Sequence, residues 1–223
     1  MAFPELIIFD CDGVLVDSEL ISNRILAGHL SAHGFAISPA DCQRRFIGYS
    51  MPTLVDDVRA EGCVLPDDFI ATLRQKDTAA FAAELQAIAG IGEALTRLPQ
   101  KKCVASSGPP AKIRANLEHT GLLGFFDPHL YSGSQVARSK PAPDLFFHAA
   151  KQFNVAPSAC LVIEDSKLGI KAAKAAGMTC FGFTGGGHCT GSYADDLARL
   201  APDLIFDHMR QLPDLVANLA ATG

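Results

Sequence analysis

Short apolar runs recur along the chain, and each ends in polar residues. Leu6-Ile7-Ile8-Phe9 runs into Asp10-Cys11-Asp12-Gly13, Cys103-Val104-Ala105 into Ser106-Ser107-Gly108, Cys160-Leu161-Val162-Ile163 into Glu164-Asp165, and Thr179–Phe183 into Thr184-Gly185-Gly186-Gly187. Two weaker runs, His129–Ser132 and Asp203–Phe206, have the same character. A continuous apolar run of this length predicts a strand buried on both faces, as in a parallel sheet. Between the runs the period changes to three and four residues. It predicts helices over Ile91–Leu98, Ala111–Thr120 with Gly121 as its stop, Leu145–Phe153, Ser166–Ala176 with Gly177 as its stop, and Leu212–Ala220. Strands alternating with helices predict an α/β fold, a parallel sheet with helices on both faces.

One stretch breaks the alternation. From Ser18 to about Glu84 every pattern is helical. Leu20, Ile21, Ile25, Leu26 and Leu30 share one face, and Ser38-Pro39-Ala40-Asp41 reads as a capped helix start. Gly48-Tyr49-Ser50-Met51-Pro52 interrupts, Leu54, Val55 and Val58 resume, and Pro66-Asp67-Asp68 opens a longer helix through Phe69, Leu73, Phe81 and Leu85. The expected organisation is a core of residues 1–17 and 85–223, with a small all-helical insertion over 18–84.

Composition narrows the function classes. The 223 residues are 48% hydrophobic and 19% charged with a formal net charge of −5, which describes a globular chain rather than a disordered one. There is no basic stripe for nucleic acid or an anionic membrane; Lys101-Lys102 is an isolated pair on a strand edge. No apolar run approaches the ~18 residues of a membrane span. The first strand begins within five residues of Met1, so no signal peptide is expected. The seven cysteines are irregularly spaced, mostly beside apolar runs, and are expected as reduced thiols in a cytoplasmic protein. His29 and His33 sit four apart with no further ligand spaced to join them, and adjacent His188-Cys189 is a poor chelating arrangement, so no metal site is expected at either. Gly185-Gly186-Gly187 lacks the Gly-x-Gly-x-x-Gly spacing and is expected as a loop beside the site.

The candidate chemistry lies at the strand ends. In an extended chain Asp10 and Asp12 point to the same side. If the strands are parallel, Asp10, Asp12, Ser106, Ser107, Glu164 and Asp165 meet on one edge, joined by Lys140 from a Pro-rich loop. Crowded carboxylates require positive charge, and hard oxygen donors suit Mg²⁺. With Asp10, Glu164 and Asp165 ionised, Mg²⁺ and Lys140 restore neutrality and leave Asp12 as the carboxyl able to hold a proton.

The ordered series Asp10-x-Asp12-Gly13-Val14, Ser106, Ser139-Lys140-Pro141 and Glu164-Asp165-Ser166 resembles the haloacid dehalogenase superfamily of phosphohydrolases. Val14–Glu19, Pro141-Ala142-Pro143-Asp144 and Gly177-Met178 narrow the resemblance to the branch of β-phosphoglucomutase, phosphoglycolate phosphatase and 6-phosphogluconate phosphatase. It implies a Rossmann-like core, a helical cap over 18–84, and Mg²⁺-dependent hydrolysis of a small phosphorylated metabolite such as a sugar, polyol or sugar-acid phosphate. By the same resemblance Asp10 is the nucleophile that becomes an aspartyl-phosphate, and Asp12 the general acid and base. Ser106, with Ser107 beside it, and Lys140 bind phosphate. Asp10, the Asp12 backbone carbonyl and Asp165 hold Mg²⁺, with Glu164 a direct or outer ligand. Gly48, Tyr49 and Ser50 face the substrate from the cap. The mutases carry an Arg after the cap Gly-x-Ser, where this chain has Met51; a thioether cannot replace that grip, which favours hydrolysis. Arg44 or Arg45 remains a substitute for it, so a hexose phosphate mutase is the alternative. A non-enzymatic phospho-acceptor module is a more distant one. Oligomeric state is left open.

Overall fold

The computed structural model describes residues 3–46 and 51–221. The chain divides into two compact units, Met1–Asp17 with Gln86–Gly223, and Ser18–Leu85. Among the described residues no helix is long and apolar enough to cross a membrane.

The first unit is a six-stranded, all-parallel sheet in the order β3-β2-β1-β4-β5-β6. Its strands are β1 (Leu6–Phe9), β2 (Lys101–Ser106), β3 (Leu130–Ser132), β4 (Cys160–Glu164), β5 (Thr179–Phe183) and β6 (Leu204–Phe206). The most apolar run forms the centre: all four residues of β1 are fully buried. Strand order grows one way from β1 through β2 and β3, then restarts on the other side at β4. The resulting crevice, outside the carboxyl ends of β1 and its neighbours, is where open α/β sheets place ligands.

Side-chain alternation divides the sheet between two faces. Leu6, Ile8, Cys103, Ala105, Cys160 and Val162 pack in one cluster with residues of α7 (Asp144–Gln152) and α8 (Lys167–Ala175), including Phe146 and Ile170. The intervening residues point the opposite way; there Phe9 meets Phe126 edge to face at 5.7 Å between ring centres. The other helices of this unit are α5 (Ile91–Arg97), α6 (Pro110–His119), α9 (Tyr193–Ala198) and α10 (Leu212–Ala221). All seven cysteines are free thiols.

The second unit holds α1 (Glu19–Ala32), α2 (Pro39–Phe46), α3 (Met51–Ala60) and α4 (Phe69–Glu84) around a core of Leu26, Leu30, Phe46, Leu54, Val58 and Leu73. His29 is a packing residue in it. The ring stacks on Phe69 at 4.3 Å, and Nε2 lies 3.2 Å from the Phe69 carbonyl. Ser38 does open α2, its hydroxyl accepting from the Asp41 amide at 3.1 Å.

Two local expectations need correction, and one helix adds to the expected set. The helix expected from Pro66 starts at Phe69, because residues 66–68 form a turn instead. Asp203 is not in β6; its carboxylate accepts from the Cys180 amide at 2.8 Å, fastening the loop before β6 to the start of β5. The six-residue α9 carries no pattern long enough to predict it.

Candidate active site

The chain leaves β1 without leaving the sheet. Asp10 N–H still donates to Ile163 O, at 3.0 Å, so Asp10 sits beside the end of β4 that carries Glu164 and Asp165. Residues 11–16 then close a tight loop, with Leu15 and Val16 amides both donating to Cys11 O. Gly13 has φ +79°, and a Cβ there would collide with the Asp165 carboxylate, so only glycine lets the loop pass this close to the acids.

Asp10, Glu164 and Asp165 are all buried and each offers an oxygen within 4.8 Å of the others. Lys140 is the cation set among them. Its Nζ donates to Asp10 Oδ1 at 2.8 Å, Glu164 Oε1 at 2.5 Å and the Ala105 carbonyl at 2.8 Å, which uses all three ammonium protons. The other Glu164 oxygen accepts from the Ser166 amide at 3.2 Å and hydroxyl at 2.9 Å, while Ser166 Oγ also caps α8 by accepting from Gly169 N–H. Glu164 thus accepts from protein donors on both oxygens.

Burial sets the proton affinities here. It raises Asp10 most; Lys140 opposes, Glu164 adds to the rise, and the carboxyl is held at about 7. Glu164 is raised by burial, against Lys140, with help from Asp165. Asp165 is raised by burial and by Asp10, against a hydrogen bond to His188. Burial pulls Lys140 down, but Asp10 and Glu164 outweigh it and hold the ammonium above its usual range. A buried site with three acids and one lysine holds its protons tightly and favours added positive charge.

Asp12 stands apart from the three acids. Both of its oxygens accept from Lys112 Nζ at 3.0 Å, an arrangement of the carboxylate form. Lys112 lies in the first turn of α6 and is a cation beyond the Mg²⁺ and Lys140 that the sequence predicts, which places positive charge on Asp12. Ser106, at the end of β2, is buried, and its hydroxyl accepts from Gly108 N–H at 3.1 Å. Gly108 also lies beside Asp12 and Lys112, which places all four on one side of the crevice. Ser107 is exposed. Gly48, Tyr49 and Ser50 lie outside the described residues.

His188, where the sequence predicts no metal site, reaches the cluster. Its Nε2 is 3.0 Å from Asp165 Oδ2, and both side chains are buried. Burial pulls the imidazole down; hydrogen bonds to Asp165 and Cys189 more than reverse this and lift it to about 11. No spacing in the sequence marks Lys112 or His188, which reach the site from a helix and from the loop after β5. Only the position of Gly185-Gly186-Gly187 behind a strand end hinted at the second.

Residues 4–177 match the haloacid dehalogenase-like hydrolases. This chain belongs to that family. Over 218 residues it is 34% identical to the 6-phosphogluconate phosphatase of Escherichia coli K12, with 96% of each chain covered. A haloacid dehalogenase-like protein from Agrobacterium tumefaciens is 35% identical and superposes with a TM-score of 0.89 over 97% of this chain and 99% of the other. A family hydrolase from Deinococcus radiodurans, solved with bound phosphate and sodium, is 30% identical with a TM-score of 0.82, covering 98% and 97%. As a haloacid dehalogenase-like hydrolase the protein is an enzyme, which sets aside the non-enzymatic phospho-acceptor reading.

In the helical unit, Arg44 and Arg45 line a groove of about 910 Å³ with Phe35 and Glu61. Arg44 pairs with Asp41. Arg45 pairs with Asp57 at 2.7 Å and with Glu61, its guanidinium lying 5.1 Å from the Phe35 ring centre and 5.0 Å from that of Phe46.

Proposed function

We propose that this hydrolase is a Mg²⁺-dependent phosphatase of small phosphomonoesters (sugar, polyol or sugar-acid phosphates) that works through an aspartyl-phosphate on Asp10. The observation that carries the reading is the buried Asp10 carboxylate beside Lys140 and Asp165 at the carboxyl edge of the central strand. The name of the E. coli relative supports the substrate class.

The donor set fits the metal. Asp10 and Asp165 offer hard oxygens at close quarters, and the buried site favours added positive charge. These two residues would hold Mg²⁺, with the Asp12 backbone carbonyl assigned by family likeness. Glu164, occupied on both oxygens, serves by anchoring Lys140. Bound there, the cation would supply charge neutralisation for phosphoryl oxygens.

The chain's own groups divide the remaining work. An Asp10 oxygen attacks phosphorus, the ester P–O bond breaks, and Asp12, which takes up a proton from solvent as the substrate enters, gives that proton to the departing oxygen. In the second half Asp12 takes a proton from water, the water oxygen attacks phosphorus, and the bond to Asp10 breaks. Lys140 balances charge on Asp10 and the phosphoryl group, and Ser106 Oγ–H donates to a phosphoryl oxygen. Selection among alcohols is assigned to the 18–84 insertion acting as a cap, with Gly48, Tyr49 and Ser50 the first positions to vary. A mutase needs a second phosphate grip, and both arginines proposed for it are already committed to acids.

The test is a phosphate-release screen over sugar, polyol and sugar-acid phosphates with Mg²⁺ or chelator. Release that needs Mg²⁺ and vanishes in Asp10→Asn supports the reading. Conversion of β-glucose 1-phosphate to glucose 6-phosphate, without net phosphate release, refutes it in favour of the mutase.

A further inference from the structure

The loop after β5 and the start of α9 turn back onto the acid cluster and grip one member of it twice. His188 Nε2 meets Asp165 Oδ2 at 3.0 Å, with Cys189 Sγ 3.3 Å from the same nitrogen. Tyr193 hydroxyl donates to the Asp165 backbone carbonyl at 3.0 Å, and its ring meets the His188 ring edge to face at 5.1 Å. The imidazole is walled in: a Cβ on either Gly13 or Gly186 would come within 2.9 Å of it. Gly187 N–H donates to Asp17 Oδ1 at 3.1 Å, tying the loop to the far end of the segment that carries Asp10 and Asp12.

We propose that His188 and Tyr193 are positioning residues for a divalent-cation site, holding the Asp165 carboxylate in its ligating place. This rests on Asp10 and Asp165 being the cation's ligands. An aspartate has two rotatable side-chain bonds, and Asp165 faces two like charges, Asp10 and Glu164, which push it away from the cluster. A donor fixed on Oδ2 opposes that push. It leaves the carboxylate able to ligate, because the group accepts at two oxygens. The close walls keep His188 from swinging aside, so the hydrogen bond persists when a cation binds. Groups that orient metal ligands in this way are worth about 10–100-fold in metal affinity when removed.

The test is Mn²⁺ binding to the full chain, followed by electron paramagnetic resonance and calorimetry without substrate. His188→Ala is expected to weaken binding by about 10–100-fold. His188→Gln, whose amide N–H₂ reaches the same oxygen, is expected to recover most of the loss, and Tyr193→Phe to weaken binding by less than His188→Ala. In phosphate-release assays the Mg²⁺ requirement of His188→Ala should rise while the KM for the ester holds. Unchanged or tighter Mn²⁺ binding in folded His188→Ala overturns the proposal, since His188 would then only neutralise Asp165. If that variant does not fold, unchanged Mn²⁺ affinity and an unchanged Mg²⁺ requirement in Tyr193→Phe overturn it. Absent Mn²⁺ binding by the unaltered protein overturns the cation site itself, a distinguishable result.

Discussion

Lys140→Met removes one positive charge from the middle of the acid cluster, together with the hydrogen bond to the Ala105 carbonyl. Met keeps an unbranched stem of similar length but not the ammonium that lies 5.1 Å from the Phe146 ring centre. Two buried carboxylates, Asp10 and Glu164, lose their shared partner. Breaking a buried ion pair from one side costs about 3–5 kcal/mol. Its pH dependence is what separates charge from packing. Without Lys140 at least one of the two carboxyls keeps its proton above neutrality, whereas the same group in the unfolded chain is ionised there. The folded variant then binds one proton more than its unfolded chain, so its stability falls as pH rises, by about 1.4 kcal/mol per pH unit. The unaltered protein loses the corresponding proton near 7, where Asp10 is held, and its own dependence on this group levels off above that. Between pH 7 and pH 9 the gap between the two proteins should widen by about 2–3 kcal/mol. Equilibrium urea unfolding with chelator present measures this directly. A deficit below about 1 kcal/mol that stays constant over this range would refute the electrostatic account of the cluster.

Other consequences are narrower. Gly13→Ala should lose about 2 kcal/mol or more, from the positive φ and the collision with Asp165, and should lower Mg²⁺ response as well; urea unfolding and metal titration check both. Lys112→Ala should lower kcat by about ten-fold or more by freeing Asp12 from its fixed place, with Mn²⁺ affinity little changed; an unaltered kcat would make Lys112 a bystander. Tyr49→Ala should alter the ranking of substrates in the phosphate-release screen more than it alters Mg²⁺ dependence.

The sheet was legible because its strands announce themselves. Leu6–Phe9 and Cys160–Ile163 are apolar without alternation, which only a two-sided burial explains, and both proved fully or almost fully buried. The acids behind them were legible for the same reason: a carboxylate directly after such a run stands at the sheet edge. Lys140 was legible through its motif. Lys112 and His188 were not, because each is brought to the site by the fold of a distant segment. Lys112 is 100 positions from its partner Asp12, on a helix turn that looks solvent-facing in sequence. His188 is held by the walls of Gly13 and Gly186, contacts with no trace in local spacing.

The central claim is that Asp10 takes the phosphoryl group. Borohydride added during turnover of a sugar phosphate reduces an aspartyl-phosphate to homoserine, which peptide mass spectrometry can place in the chain. Homoserine at position 10, dependent on substrate and absent in Asp10→Asn, is the expected result. Phosphate release with residue 10 unlabelled, or label on another acid, would contradict it.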